Sequence, residues 1–184
     1  MADYTPRLSK DGMLNSKYWY TTTNPFYPTY GLPNCTCYAW GRFWEISDVV
    51  PHLPTGNGGD WWPRVSGYET GQTPQLGAVL CFSQPGQAGH VCIVEEILEN
   101  GDLVTSNSGY SRDPGGWNDS HYFWLDTNPV STGYRASWEV SGGYVFQGFI
   151  YNPEQPVPPT PGGQSRKLPL FMMGGRFSNI NITF

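Results

Sequence analysis

Turn-forming residues cut this chain into short pieces. Glycine (23) and proline (17) recur through its 184 residues, which argues against long helices and for short strands joined by many turns. From Asn34 to Val50, however, only Gly41 intervenes, and Cys35, Ala39, Phe43 and Ile46 recur at helical spacing. That spacing predicts a helix beginning near Cys35 and stopped by Pro51. The preceding residues, through Pro33, read as an irregular lead-in, and a short amphipathic segment is expected around Trp61 to Val65. The second half reads as strands. QLGAVLCF is an apolar run, GHVCIVEEI alternates, and DLVTSNS returns after turn chemistry at Asn100 to Asp102. HYFWLD and YVFQGFIY have the aromatic and β-branched content of two more strands. Helix first and a mostly antiparallel sheet afterwards makes an α+β fold.

One domain is expected over residues 1–152. A Pro-rich linker is placed at 153–165, taking in all but the first residue of NPEQPVPPTPGGQ, and a short tail at 166–184, whose apolar residues are candidates for docking on the main body or on another protein. A net charge of −5 with only ten Lys and Arg supplies no basic field for a nucleic acid backbone. No run approaches the roughly 18 apolar residues of a membrane span. The first twenty residues lack the apolar core of a Sec signal, so the expectation is a product made without a Sec address.

The cysteines are Cys35, Cys37, Cys81 and Cys92. Cys35 and Cys37 are too close in sequence to bridge each other well, and the paired spacing of a zinc site is absent, so no metal or other cofactor is expected. A thiol attacks as thiolate and needs a helix N-terminus or an imidazole beside it. Cys35 opens the predicted helix, where unpaired N–H groups favour an anion. His90 begins a strand after a glycine-rich turn, while His52 and His121 read as exposed. Asn107, in TSNSGYS, follows the strand expected to pair with that of His90 and could orient its ring. Buried thiol, surface imidazole and ordinary polar turn are the bland readings of these three. Tyr27, Tyr30, Trp40, Trp61, Trp62, Trp117 and Trp124 could line a cleft, although core is the commoner fate of such residues. Glu95 and Glu96 point to opposite faces of a strand and cannot form a glycosidase pair.

These segments resemble one family. NCTCYAWGR is similar to the C-T-x-Y-A-x-x-R signature of the CHAP domain, the cysteine and histidine dependent amidohydrolase/peptidase module. GNGGDWWPRV resembles its G-N-A-x-x-W region, PQLGAVLCF its P-x-x-G-x-V-x-x-F strand, and GHVCIVEEI its G-H-V-A-x-V-E strand. The ordered motifs run from about Pro25 to Tyr151. The resemblance implies a papain-like fold, helices packed on a mostly antiparallel sheet. It also implies Cys35 as nucleophile, His90 as base and Asn107 as third residue, with Tyr30, Asn34, Trp61 and Trp62 toward substrate. Asn34 stands where many members have Gln, and Asn107 where many have Glu; the Asp cluster of calcium-binding relatives is missing. The implied activity is hydrolysis of a peptidoglycan amide, by an endopeptidase or an N-acetylmuramoyl-L-alanine amidase. A phage lysin, made in the host cytoplasm and holin-released or virion-associated, is the expected setting, with the tail at 166–184 a candidate for contact with a virion or tail protein. A non-catalytic wall-binding or virion protein retaining the fold is the rival, and a glycosidase the third reading.

Overall fold

The computed structural model describes residues 4–110, 119–135 and 143–153. The expected linker from residue 154 onward, the tail and Trp117 lie outside them. The fold is α+β, as read from the sequence. Helix α1 spans Cys35–Ser47, and a 3-10 turn at Gly58–Asp60 runs into the one-turn helix α2, Trp61–Arg64. A second one-turn helix, α3, spans Asp119–Tyr122. The strands are β1 (Thr70–Gly71), β2 (Val79–Ser83), β3 (His90–Ile97), β4 (Leu103–Asn107), β5 (Trp124–Asn128) and β6 (Val145–Ile150). All pair antiparallel in the order β1-β6-β2-β3-β4-β5.

Asn34 starts α1. Its extended backbone breaks the helical path, and its side-chain oxygen accepts from the Cys37 N–H at 2.9 Å, the bond that makes Asn a preferred N-cap. The far end departs from expectation. Asp48 turns left-handed at φ 52° and returns its N–H to Trp44 O, so the helix ends at Ser47, four residues before Pro51 and ahead of β-branched Val49 and Val50. Gly41 is required where it stands, because a Cβ there would run into the Trp19 indole, whose Nε1 donates to Tyr38 O at 3.0 Å.

The sheet is buried on both faces. Val79, Cys81, Val91, Ile93 and Ile150 pack toward α1 with Tyr38 and Phe43, while Leu80, Phe82, Cys92, Val94 and Phe149 form a second cluster behind. Two covered faces explain the unbroken apolar runs of β2 and β3. The alternation expected for GHVCIVEEI is therefore absent, since His90 through Glu95 are all buried. HYFWLD is also corrected. His121 and Tyr122 close α3, and the strand starts only at Trp124.

Glu95 and Arg42 bind the two layers together. The Arg42 guanidinium donates to both Glu95 oxygens, at 3.0 and 2.9 Å. Tyr4 and the Arg7 N–H reach the same carboxylate from the N-terminal segment, and the Ser106 hydroxyl donates to it from β4 at 2.6 Å. Tyr38 in turn donates to Ser106 at 2.7 Å. A buried carboxylate is tolerable only when its lone pairs are filled in this way. The effect is to fix the helix that begins with Cys35 against the strand that begins with His90.

Candidate active site

A groove of about 800 Å³ opens where the start of α1, the Gly58–Asp60 turn and the start of β3 converge. Cys35 and His90 both border it. Cys35 is half-buried, whereas Cys37, Cys81 and Cys92 are buried, and all four thiols are free. Burial pushes the Cys35 thiol up; the N–H groups of Val91, Thr36 and Cys35 itself act in the opposite sense without overcoming it. The Val91 N–H is that of the residue after His90, so the sulfur lies against the first residues of β3.

His90 is buried, and desolvation lowers its pKa to about 4 against the smaller raising effects of Asn107 and Asp126. Its Nε2 lies 3.0 Å from Asn107 Oδ1. The Asn107 amide is oriented by its other end, because Nδ2 donates to the Thr105 carbonyl at 3.1 Å and to the Thr105 hydroxyl at 3.1 Å. A carbonyl only accepts, so Oδ1 must face the imidazole, Nε2 must carry the proton, and the Nδ1 lone pair is the basic one. The ring is stacked near Trp124, centroids 6.2 Å apart, with Tyr144 edge-on at 6.4 Å. The backbone behind it is set by glycine. A Cβ on Gly58 would come within 3.0 Å of the His90 carbonyl carbon.

The structure thus brings Cys35, His90 and Asn107 together in one corner of the fold. At this corner burial raises the pKa of the Cys35 thiol and lowers that of the His90 imidazole, opposing the thiolate that the helix N-terminus favours. Of the four substrate-side candidates, exposed Tyr30 and half-buried Asn34 border the groove. Trp61 does not. It is fully buried against Phe26, ring centroids 6.1 Å apart, because α2 turns that side of its single turn into the core. Trp62 lies over Gly148 of β6, away from the groove wall. Among the other aromatics, Trp40 is core, Tyr27 packs on Tyr20, and Trp124 borders the groove. His121, read as exposed, also borders it, as do Tyr110 and Tyr144. Their positions follow from how α3 and β6 meet the sheet, and no local spacing signals that. Among the described residues no three His, Cys, Asp or Glu form a metal-ligand group.

A thiol at a helix start, an imidazole at a strand start and an amide behind the imidazole make a Cys-His-Asn constellation on an α+β scaffold. Residues 22–109 match the model of the CHAP domain. It is 37% identical over 108 residues to a Streptococcus mutans protein described as a hydrolase, covering 56% of this chain and 46% of that protein. It is 27% identical over 104 residues to an N-acetylmuramoyl-L-alanine amidase of Staphylococcus saprophyticus, covering 52% of this chain and 31–32% of such amidases. A Staphylococcus aureus N-acetylmuramoyl-L-alanine amidase structure aligns at 20% identity and TM-score 0.43, over 63% of this chain and 31% of that one. The chain spans less than half the length of the curated relatives it matches.

Proposed function

We propose that this protein hydrolyses an amide bond of bacterial peptidoglycan, with Cys35 as nucleophile and His90 as base. The observation that carries the reading is the single groove bordered by both side chains, with Asn107 Oδ1 at 3.0 Å from His90 Nε2. The Nδ1 lone pair takes the Cys35 proton as the sulfur adds to the amide carbon. The first-turn N–H groups of α1 favour the resulting oxyanion. The imidazolium then returns the proton to the departing amine, and water, activated by the same imidazole, hydrolyses the thioester. Burial disfavours both charged forms, so proton transfer accompanies attack. Aromatic Tyr30, Tyr110 and Trp124 and the amide residues Asn57, Gln84 and Gln87 all border the groove, a lining suited to sugar faces and peptide backbone.

Incubating purified walls with wild type and with Cys35→Ala tests this. Wild type is expected to release new amines and the variant none; equal release by both rejects the assignment. New reducing ends in place of amines would indicate a glycosidase, and wall binding without either product a non-catalytic wall protein. Mass spectrometry of the new termini then distinguishes an endopeptidase from an N-acetylmuramoyl-L-alanine amidase. A phage lysin is the finer proposal for its setting. It predicts that cells making the protein lyse only when a membrane-permeabilising partner is co-expressed; lysis without one counts against it.

A further inference from the structure

Behind Asn107 the hydrogen bonds continue in one direction. The Thr105 hydroxyl, which accepts from Asn107 Nδ2 at 3.1 Å, donates to Asn128 Oδ1 at 2.7 Å. Asn128 Nδ2 donates onward to the Tyr134 carbonyl at 3.3 Å. Thr105, Asn107 and Asn128 are all buried, on β4 and its neighbour β5. Two backbone carbonyls, those of Thr105 and Tyr134, can only accept, and they set the sense of the whole chain. Asn128 must present oxygen to Thr105, which commits the single hydroxyl proton there and turns the hydroxyl lone pairs toward Asn107. The Cys92 thiol also neighbours this hydroxyl, but sulfur is the weaker acceptor. Such a row is cooperative, each donor made stronger by the bond it accepts.

We propose that Thr105 and Asn128 are positioning residues, which act through Asn107 to hold His90 as the Nε2–H tautomer with Nδ1 as the base. This rests on the proposed role of His90 in amide hydrolysis. If the Thr105 proton were not committed to Asn128, the hydroxyl could rotate and donate to the oxygen of a flipped Asn107. The flipped amide would then present N–H groups to Nε2 and favour the Nδ1–H tautomer, which cannot accept the thiol proton.

The test is nitrogen NMR of protein carrying labelled histidine at pH 7. The chain has three histidines, so His52→Gln and His121→Gln assign the His90 signals. Wild type should show His90 as Nε2–H alone. Asn128→Ala, which removes the hydroxyl's acceptor together with the bond to the Tyr134 carbonyl, should show Nδ1–H signal, and Thr105→Val, which removes the hydroxyl at nearly constant volume and leaves Asn107 Nδ2 only the Thr105 carbonyl, should show a smaller share of it. In wall hydrolysis kcat should fall roughly tenfold or more, as outer-shell substitutions typically do, with KM little changed. Thr105→Ser should restore both readouts. If Thr105→Val does not fold, Asn128→Ala reads the same quantity. A wild-type His90 spectrum and kcat in the substituted proteins overturns the proposal. Wild type that leaves wall amides intact, while the tautomer still responds to these substitutions, overturns the hydrolase reading and not the relay.

Discussion

His90 meets opposing demands. A base must hold a proton during the reaction, yet its buried site favours the uncharged ring and sets its pKa at about 4. The kcat/KM profile reports ionisations of the free enzyme, so its acid limb is expected near pH 4. A limb near the ordinary imidazole value of about 6.5 would mean that the ring is more solvated than the fold implies. The thiol is displaced the other way, and alkylation of Cys35 by iodoacetamide should keep accelerating as pH rises past 9, measured by peptide mass spectrometry. Asn107→Ala removes both the tautomer and the orientation of the ring. It should lower kcat about a hundredfold or more, the range for loss of general base catalysis, and shift the acid limb lower still, because the Asn107 bond favours the charged ring.

At the level of elements, the Arg42–Glu95 pair and the Trp19–Gly41 seat determine where α1 lies. Glu95→Gln leaves the Arg42 guanidinium, 5% exposed, with half its compensation. The expected cost is about 3 kcal/mol in urea denaturation, in line with one-sided loss of a buried pair. Gly41→Ala should gain up to about 1 kcal/mol of helix propensity and lose about 1–3 kcal/mol to overpacking against Trp19. A net destabilisation is therefore expected. These elements also show what could be read in advance. The start of α1 was legible because Cys35, Ala39, Phe43 and Ile46 recur at helical spacing, and β2, β3, β4 and β6 because apolar, aromatic and β-branched residues gather between turn residues. The end of α1 depended on a left-handed Asp48, which propensity does not announce. Residues 121 and 122 joined a helical turn although aromatic content favoured a strand. Cys35, His90 and Asn107 were legible as residue types at element ends, whereas the inward turn of Trp61 and the approach of His121 required the assembled fold.

Across the whole molecule, the imidazole proposed as the base also carries a stability dependence on pH. Its folded pKa lies below the value of about 6.5 for an unfolded chain. The unfolded state therefore takes up the proton first, and stability falls as pH drops from about 6.5 toward 4, then levels off. The loss from this one group has a limiting slope of about 1.4 kcal/mol per pH unit. Denaturation midpoints of wild type and His90→Gln, compared from pH 7 to 4, should converge as the wild type loses this advantage; parallel curves would contradict it. Another consequence follows from the way the reacting atoms are distributed. The sulfur rides on the helix and the ring on the sheet, and among the described residues side-chain contacts, the Arg42–Glu95 pair foremost, hold those layers in register. A sample that is warmed gradually should therefore stop digesting walls while its far-ultraviolet spectrum still looks native, because slippage of one layer over the other silences the chemistry without melting either.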